Sequence, residues 1–91
     1  MTLSIEEVEE RLKKVLLERT GHLKAEEIHS GVALVGKGLA LDSVALLEFI
    51  VGLEEEFDLI LDDSALTVEH FEALGTLARY VRAQLQELRA S

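Results

Sequence analysis

Between Val44 and Leu53 the sequence reads VALLEFIVGL, and Glu48 is its only charge. A helix drawn through this segment is apolar nearly all round, and such a helix is either wholly buried or uses its second face for something else. The chain has 91 residues, which suits one domain, residues 1–91. A chain of that size buries only about 60–70% of the surface its unfolded form exposes. So small a core can hardly enclose every face of one helix. The segment therefore predicts an apolar face left over, either to meet a partner or to line a cleft that takes an apolar guest.

The flanking sequence reads as further helices. Ser4-Ile5-Glu6-Glu7 has the form of a capping box, and Ile5, Val8, Leu12, Val15 and Leu16 recur at helical spacing behind it. Gly21 is a natural stop, so the first helix is expected over residues 4–20. Residues 21–41 form a glycine-punctuated connection whose Val32, Leu34, Val35, Leu39 and Leu41 let it pack down as a crossover; VALV at 32–35 is strand-like but has no evident pairing partner. A connection so long and irregular often points to function. The second helix begins at Asp42 or Ser43 and runs to about Phe57. Asp62-Asp63-Ser64 is a turn signal, and a short helix over Thr67–Glu72, capped by Thr67, is expected next. The last helix starts near Gly75, with Leu74, Leu77, Val81, Leu85 and Leu88 as its apolar stripe. Without proline to force breaks, these elements predict an all-α fold. The architecture expected is an antiparallel four-helix bundle with a long loop between helices 1 and 2 and a short third helix.

Charge is distributed unevenly. Residues 38–78 contain no lysine or arginine but ten acids, whereas the other eight acids are matched by all nine bases. Such a one-signed region steers encounter with a basic partner and argues against nucleic acid, whose phosphates require lysine and arginine. Cysteine is absent, which excludes disulfides and thiolate metal sites. The N-terminus, MTLSIEEVEE, is acidic where a secretory signal is basic and then apolar. The most hydrophobic window, Gly31–Leu53, holds Lys37, Asp42, Glu48 and four glycines, so a membrane span is not expected. Together these features predict a cytoplasmic monomer.

Ser43 heads the apolar helix, and two readings compete for it. Asp42-Ser43 is a common helix opening, in which the serine does nothing more. A helix N-terminus also favours a phosphate group, and a first-turn serine leaves its hydroxyl accessible to an enzyme. As a catalytic nucleophile Ser43 would need a histidine base and an oxyanion hole; His22, His29 and His70 are present, but a Gly-x-Ser-x-Gly elbow is not. His22, Glu26 and His29 as a metal set are disfavoured by the flanking glycines. Asp58, Asp62 and Asp63 lack the alternation of a calcium loop.

The ordered set Leu41-Asp42-Ser43-Val44, Glu48, Leu53-Glu54-Glu55-Glu56-Phe57 and then Phe71-Glu72-Ala73-Leu74-Gly75-Thr76-Leu77-Ala78-Arg79-Tyr80-Val81 resembles the acyl carrier proteins over nearly the whole chain. The resemblance implies a non-catalytic carrier whose Ser43 holds 4′-phosphopantetheine, delivered from coenzyme A, with acyl intermediates carried as thioesters for fatty acid or related lipid biosynthesis. It implies that Asp42 positions the phosphopantetheinyl transferase and its magnesium. Val44, Glu48, Glu54, Glu55, Glu56 and Asp58 are then the partner-binding residues, docking on basic patches of the enzymes that synthesise, elongate and transfer the acyl chain. The sequence departs from the family's usual pattern at Ala40, where glycine is frequent, at Val44, where leucine is usual, at Ala45, and in lacking a proline after helix two. The unusually apolar helix two suggests a specialised carrier. A carrier for a polyketide or aminoacyl pathway and an unmodified acidic helical adaptor are the alternatives.

Overall fold

The computed structural model describes residues 3–21, 23–61 and 67–90. Among these residues are three α-helices, α1 (Ile5–Arg19), α2 (Ser43–Phe57) and α3 (Leu74–Ala90), and two short 3-10 helices, Ala25–Glu27 and Val68–Phe71. Among the described residues there is no strand. The fold is all-α; the short third helix expected over Thr67–Glu72 is present as a 3-10 helix, Val68–Phe71, so among the described residues three α-helices and this 3-10 helix stand where a four-helix bundle was expected. Thr67 does hold the start of this turn, through its backbone: its N–H donates to Nδ1 of His70 at 3.0 Å. The Asp62-Asp63-Ser64 turn and His22 lie outside the described residues.

α1 begins where its capping box places it. The Ser4 hydroxyl accepts the Glu7 N–H at 3.2 Å and the Glu7 carboxylate accepts the Ser4 N–H at 3.0 Å, satisfying two of the donors that a helix start leaves open. The Ser4 N–H, with help from the Ser4 hydroxyl, favours the ionised form and holds the Glu7 carboxyl below its ordinary value. The helix stops at Thr20, whose N–H and hydroxyl both turn onto the Leu16 carbonyl, at 3.0 and 2.5 Å. Val8, Leu12, Val15 and Leu16 are buried.

α1 packs against both other helices. Lys14 and Arg11 meet Glu56 near the end of α2, while Arg19 meets Glu55 and lies against Gly52. Leu3 and Glu9 at the start of α1 face Arg82 and Gly75 of α3. Chain positions thus run in opposite senses along both pairs, so α2 and α3 are each antiparallel to α1. One contiguous hydrophobic cluster fills the centre, with Phe49, Leu12, Leu16, Leu34, Leu53 and Leu77 fully enclosed.

The crossover is pinned rather than paired as a strand. The N–H groups of Leu34, Leu74 and Gly75 donate to the carbonyls of Phe71, Val32 and Ser30 at 3.0, 2.9 and 2.8 Å. Ile28, Val32, Leu34, Leu39 and Leu41 are buried by it, and Val35 packs partly buried at its edge. Gly38 is dictated by closeness: a Cβ there would stand 2.1 Å from the Ala33 carbonyl oxygen. Two residues later Ala40 takes a φ of +54°, the left-handed conformation that glycine occupies at least cost. That backbone turn is why glycine suits position 40.

Candidate functional site at the start of α2

Leu41 is buried and its N–H donates to the Leu34 carbonyl at 3.0 Å, which anchors the chain immediately before α2. Asp42 then adopts the extended backbone of an N-cap, and its carboxylate accepts the Ala45 N–H at 2.8 Å. Its carbonyl accepts the Leu46 N–H at 2.8 Å. This leaves Ser43 as the first residue of the helix, exposed, with no hydrogen bond to its hydroxyl among the described residues. Of the two residues competing to cap the helix, Asp42 does so, and the Ser43 hydroxyl is not used by the fold.

Downstream, α2 divides its apolar residues between two faces. Phe49, Gly52, Leu53 and Phe57 face the core. Val44 and Leu47 remain 65% and 63% exposed, and Val51 is 42% exposed. These three stand at i, i+3 and i+7, so they form one outward stripe that leads away from Ser43 with Glu48 beside it. The surplus apolar face that the composition demanded is therefore on the outside of the protein. Of the three, Val44 alone was expected to bind a partner; the spacing of Leu47 and Val51 carries the rest of that signal.

The acidic residues separate into distinct roles. Glu48 is exposed and engages no partner among the described residues. Glu54 folds back on the chain: its carboxylate accepts the Leu61 N–H at 2.8 Å and its carbonyl the Leu59 N–H at 2.9 Å. Glu55 is an exposed partner of Arg19 at 3.1 Å. Glu56 turns toward α1, where Lys14 at 3.0 Å and Arg11 at 3.7 Å flank a side chain only 18% exposed. Asp58 ends α2 in the left-handed conformation, φ +51°, and is exposed. Three successive glutamates thus brace the end of α2, while Glu48 and Asp58 project freely.

His70 lies elsewhere. His70 Nδ1 is occupied by the Thr67 N–H, and its ring is tilted against Tyr80 with centroids 4.3 Å apart. Among the described residues no three potential ligands gather into a metal site, and no helix is long and apolar enough to cross a membrane.

The profile of one protein family, described as a phosphopantetheine attachment site, matches residues 10–81. The chain belongs to the acyl carrier protein family. Aminoacyl carrier protein 1 of Bradyrhizobium diazoefficiens is similar to it, with 33% identity over 81 residues, which cover 89% of this chain and 86% of that relative. The protein is accordingly a non-catalytic carrier, and its cofactor is covalently attached 4′-phosphopantetheine. Its partners include a phosphopantetheinyl transferase and enzymes that handle acyl groups. The start of α2 fits that cofactor: it offers an exposed hydroxyl that the fold leaves unengaged, at the end of a helix whose dipole favours a phosphodiester. When attached, the group supplies a terminal thiol for thioester formation, which a chain without cysteine cannot provide.

Proposed function

We propose that Ser43 is the attachment residue and that the carrier presents its thioester cargo to enzymes which dock on the exposed face of α2. The observation that carries this reading is the placement of Ser43, exposed and unbonded as the first residue of a helix already capped by Asp42. With the cap made by its neighbour, the serine is free to be modified without cost to the helix. Asp42 stands beside the hydroxyl with its carboxylate in the first turn, where a transferase and its magnesium would meet it. Val44, Leu47 and Val51 form the apolar contact of the docking face, and Glu48, Glu55 and Asp58 supply its charge. Glu54 and Glu56 contribute to that field from positions held by internal bonds.

Two cargo classes are supported by different observations. The Leu41-Asp42-Ser43 approach to the helix, without glycines immediately ahead of the serine, favours acyl chains of fatty acid or related lipid biosynthesis. The similarity to an aminoacyl carrier protein favours an aminoacyl group.

Intact mass after incubation with coenzyme A, magnesium and a broad-specificity phosphopantetheinyl transferase tests the attachment. Gain of one phosphopantetheine that is lost in Ser43→Ala is expected; a gain that persists in that variant would overturn the assignment. Offering the loaded carrier separately to a fatty-acyl-activating and an amino-acid-activating enzyme, with ATP, then separates the cargo classes by the second mass increment.

A further inference from the structure

Past the proposed docking stripe, at the end of the bundle remote from Ser43, lies a groove of about 500 Å³. Val51, Leu59, Ile60 and Leu88 supply its apolar lining, and Glu54, Glu55 and Asp58 supply carboxylates. At the helical rise of 1.5 Å per residue, Val51 and Asp58 stand about 12 and about 22 Å along the chain axis from Ser43. The groove is thus distinct from the attachment end, although it shares Val51 with the stripe.

Its construction explains an otherwise odd exposure. Leu59 and Leu61 are buried at 5% and 4%, while Ile60 between them is 90% exposed. The alternation follows from an extended segment with both neighbours turned inward, and the bond from the Leu61 N–H to Glu54 fixes that segment against α2. Ile60 is therefore held outward by the fold. Across the groove Leu88, the last residue of the α3 stripe, is 55% exposed where the stripe has run beyond the core. A scattered exposed aliphatic residue is ordinary, but three gathered round one groove form a patch of the kind that partners cover.

We propose that this groove is an anchor point for partner enzymes, and that its occupant is a bulky apolar side chain bracketed by lysine or arginine on the partner's surface. This deepens the reading of α2 as the docking helix and rests on it. Charge selects the occupant. Among the described residues the groove's lining includes three acids and no base, and Arg19 pairs there with Glu55. Residues 38–78, which hold most of the groove, carry ten acids and no lysine or arginine, so the same region of a second copy would set acid against acid, and an anionic lipid surface would be repelled likewise. A basic segment is attracted, and an apolar side chain gives it something to bury.

The test uses the full-length carrier, phosphopantetheinylated to completion as checked by intact mass, and a dye-labelled helical peptide with one leucine between lysines. Titration by anisotropy, with amide chemical shifts followed by NMR, is expected to place the shifts around Val51, Asp58, Ile60 and Leu88. Ile60→Ser, at so exposed a position, folds normally and is expected to weaken binding about tenfold, as is replacing the peptide's leucine by serine. Equal binding of both peptides, indifference to Ile60→Ser, absence of binding, or shifts confined to the Ser43 end would overturn the proposal. So would sedimentation showing a dimer that Ile60→Ser dissolves, which would give the groove to a second copy. Complete modification of Ser43 beside any of these failures leaves the carrier reading standing.

Discussion

Replacing Gly52 by alanine sets two effects of known sign against each other. Gly52 is buried where α2 crosses α1, and a Cβ there would stand 2.7 Å from Val15 Cγ1, 3.0 Å from Arg19 Nε and 3.1 Å from Arg19 Cγ. Alanine is the better helix former by about 1 kcal/mol. Overpacking a close helix crossing costs roughly 1–3 kcal/mol. Arg19 can swing aside, at the expense of its pairing with Glu55. Val15 is buried and β-branched, so its side chain cannot rotate away within a helix. The steric cost should prevail, leaving a net loss of about 1 kcal/mol, which for a domain of this size lowers Tm by about 4–8 °C. Thermal and urea unfolding followed by circular dichroism measure this directly. Val15→Ala in the same chain removes the clashing methyl, so the pair should cost less than the sum of the single changes by at least about 0.5 kcal/mol. A Gly52→Ala protein as stable as the parent, or additive costs in the pair, would refute the close crossing.

Ala40→Gly should raise stability by up to about 1 kcal/mol, because alanine at φ +54° carries a strain that glycine lacks; unfolding midpoints check it. Glu56→Ala should cost about 1 kcal/mol, discounted for the exposure of Lys14 and Arg11, whereas Glu48→Ala should leave the unfolding midpoint alone and slow transfer to partner enzymes. Glu7 titrates below its ordinary value because its ionised form is bonded to Ser4, so its contribution is complete above the ordinary pKa of 4.5 and is lost as pH falls through the lower folded value. Glu7→Gln, which can keep the capping box, should flatten that part of the stability–pH curve.

Most of the helical framework was legible because its signals are local. The Ser4–Glu7 box, the apolar period of α1 and the acid-serine opening of α2 each reside within a few residues. They formed over Ile5–Arg19 and Ser43–Phe57, within a residue or two of the boundaries expected. The segment after Thr67 was read as a short helix because threonine is a common cap; it forms a four-residue 3-10 helix, Val68–Phe71, and the Leu34 N–H claims the Phe71 carbonyl. The division of labour among Glu54, Glu55 and Glu56 was hidden. Lys14 and Arg19, the partners of Glu56 and Glu55, lie 42 and 36 residues away, and no local pattern pairs charges across that span. The exposure of Ile60 was hidden too, since an apolar residue between two leucines reads as core until the direction of each side chain is fixed.

The bracing of α2 by Glu55 and Glu56 changes what added electrolyte does to this molecule. Mobile ions at physiological strength screen charge over about 8 Å, and they act on the exposed Glu55–Arg19 pair inside the protein as they do on Glu48 facing a partner. Raising ionic strength therefore slackens the junction of α1 and α2 while it weakens attraction between molecules. A salt titration of docking sums two equilibria, and the number of ionic contacts taken from its slope exceeds the number that cross the interface. Repeating the titration in Arg19→Gln separates them, because the internal pair is then absent at every salt concentration while Glu55 stays available to a partner.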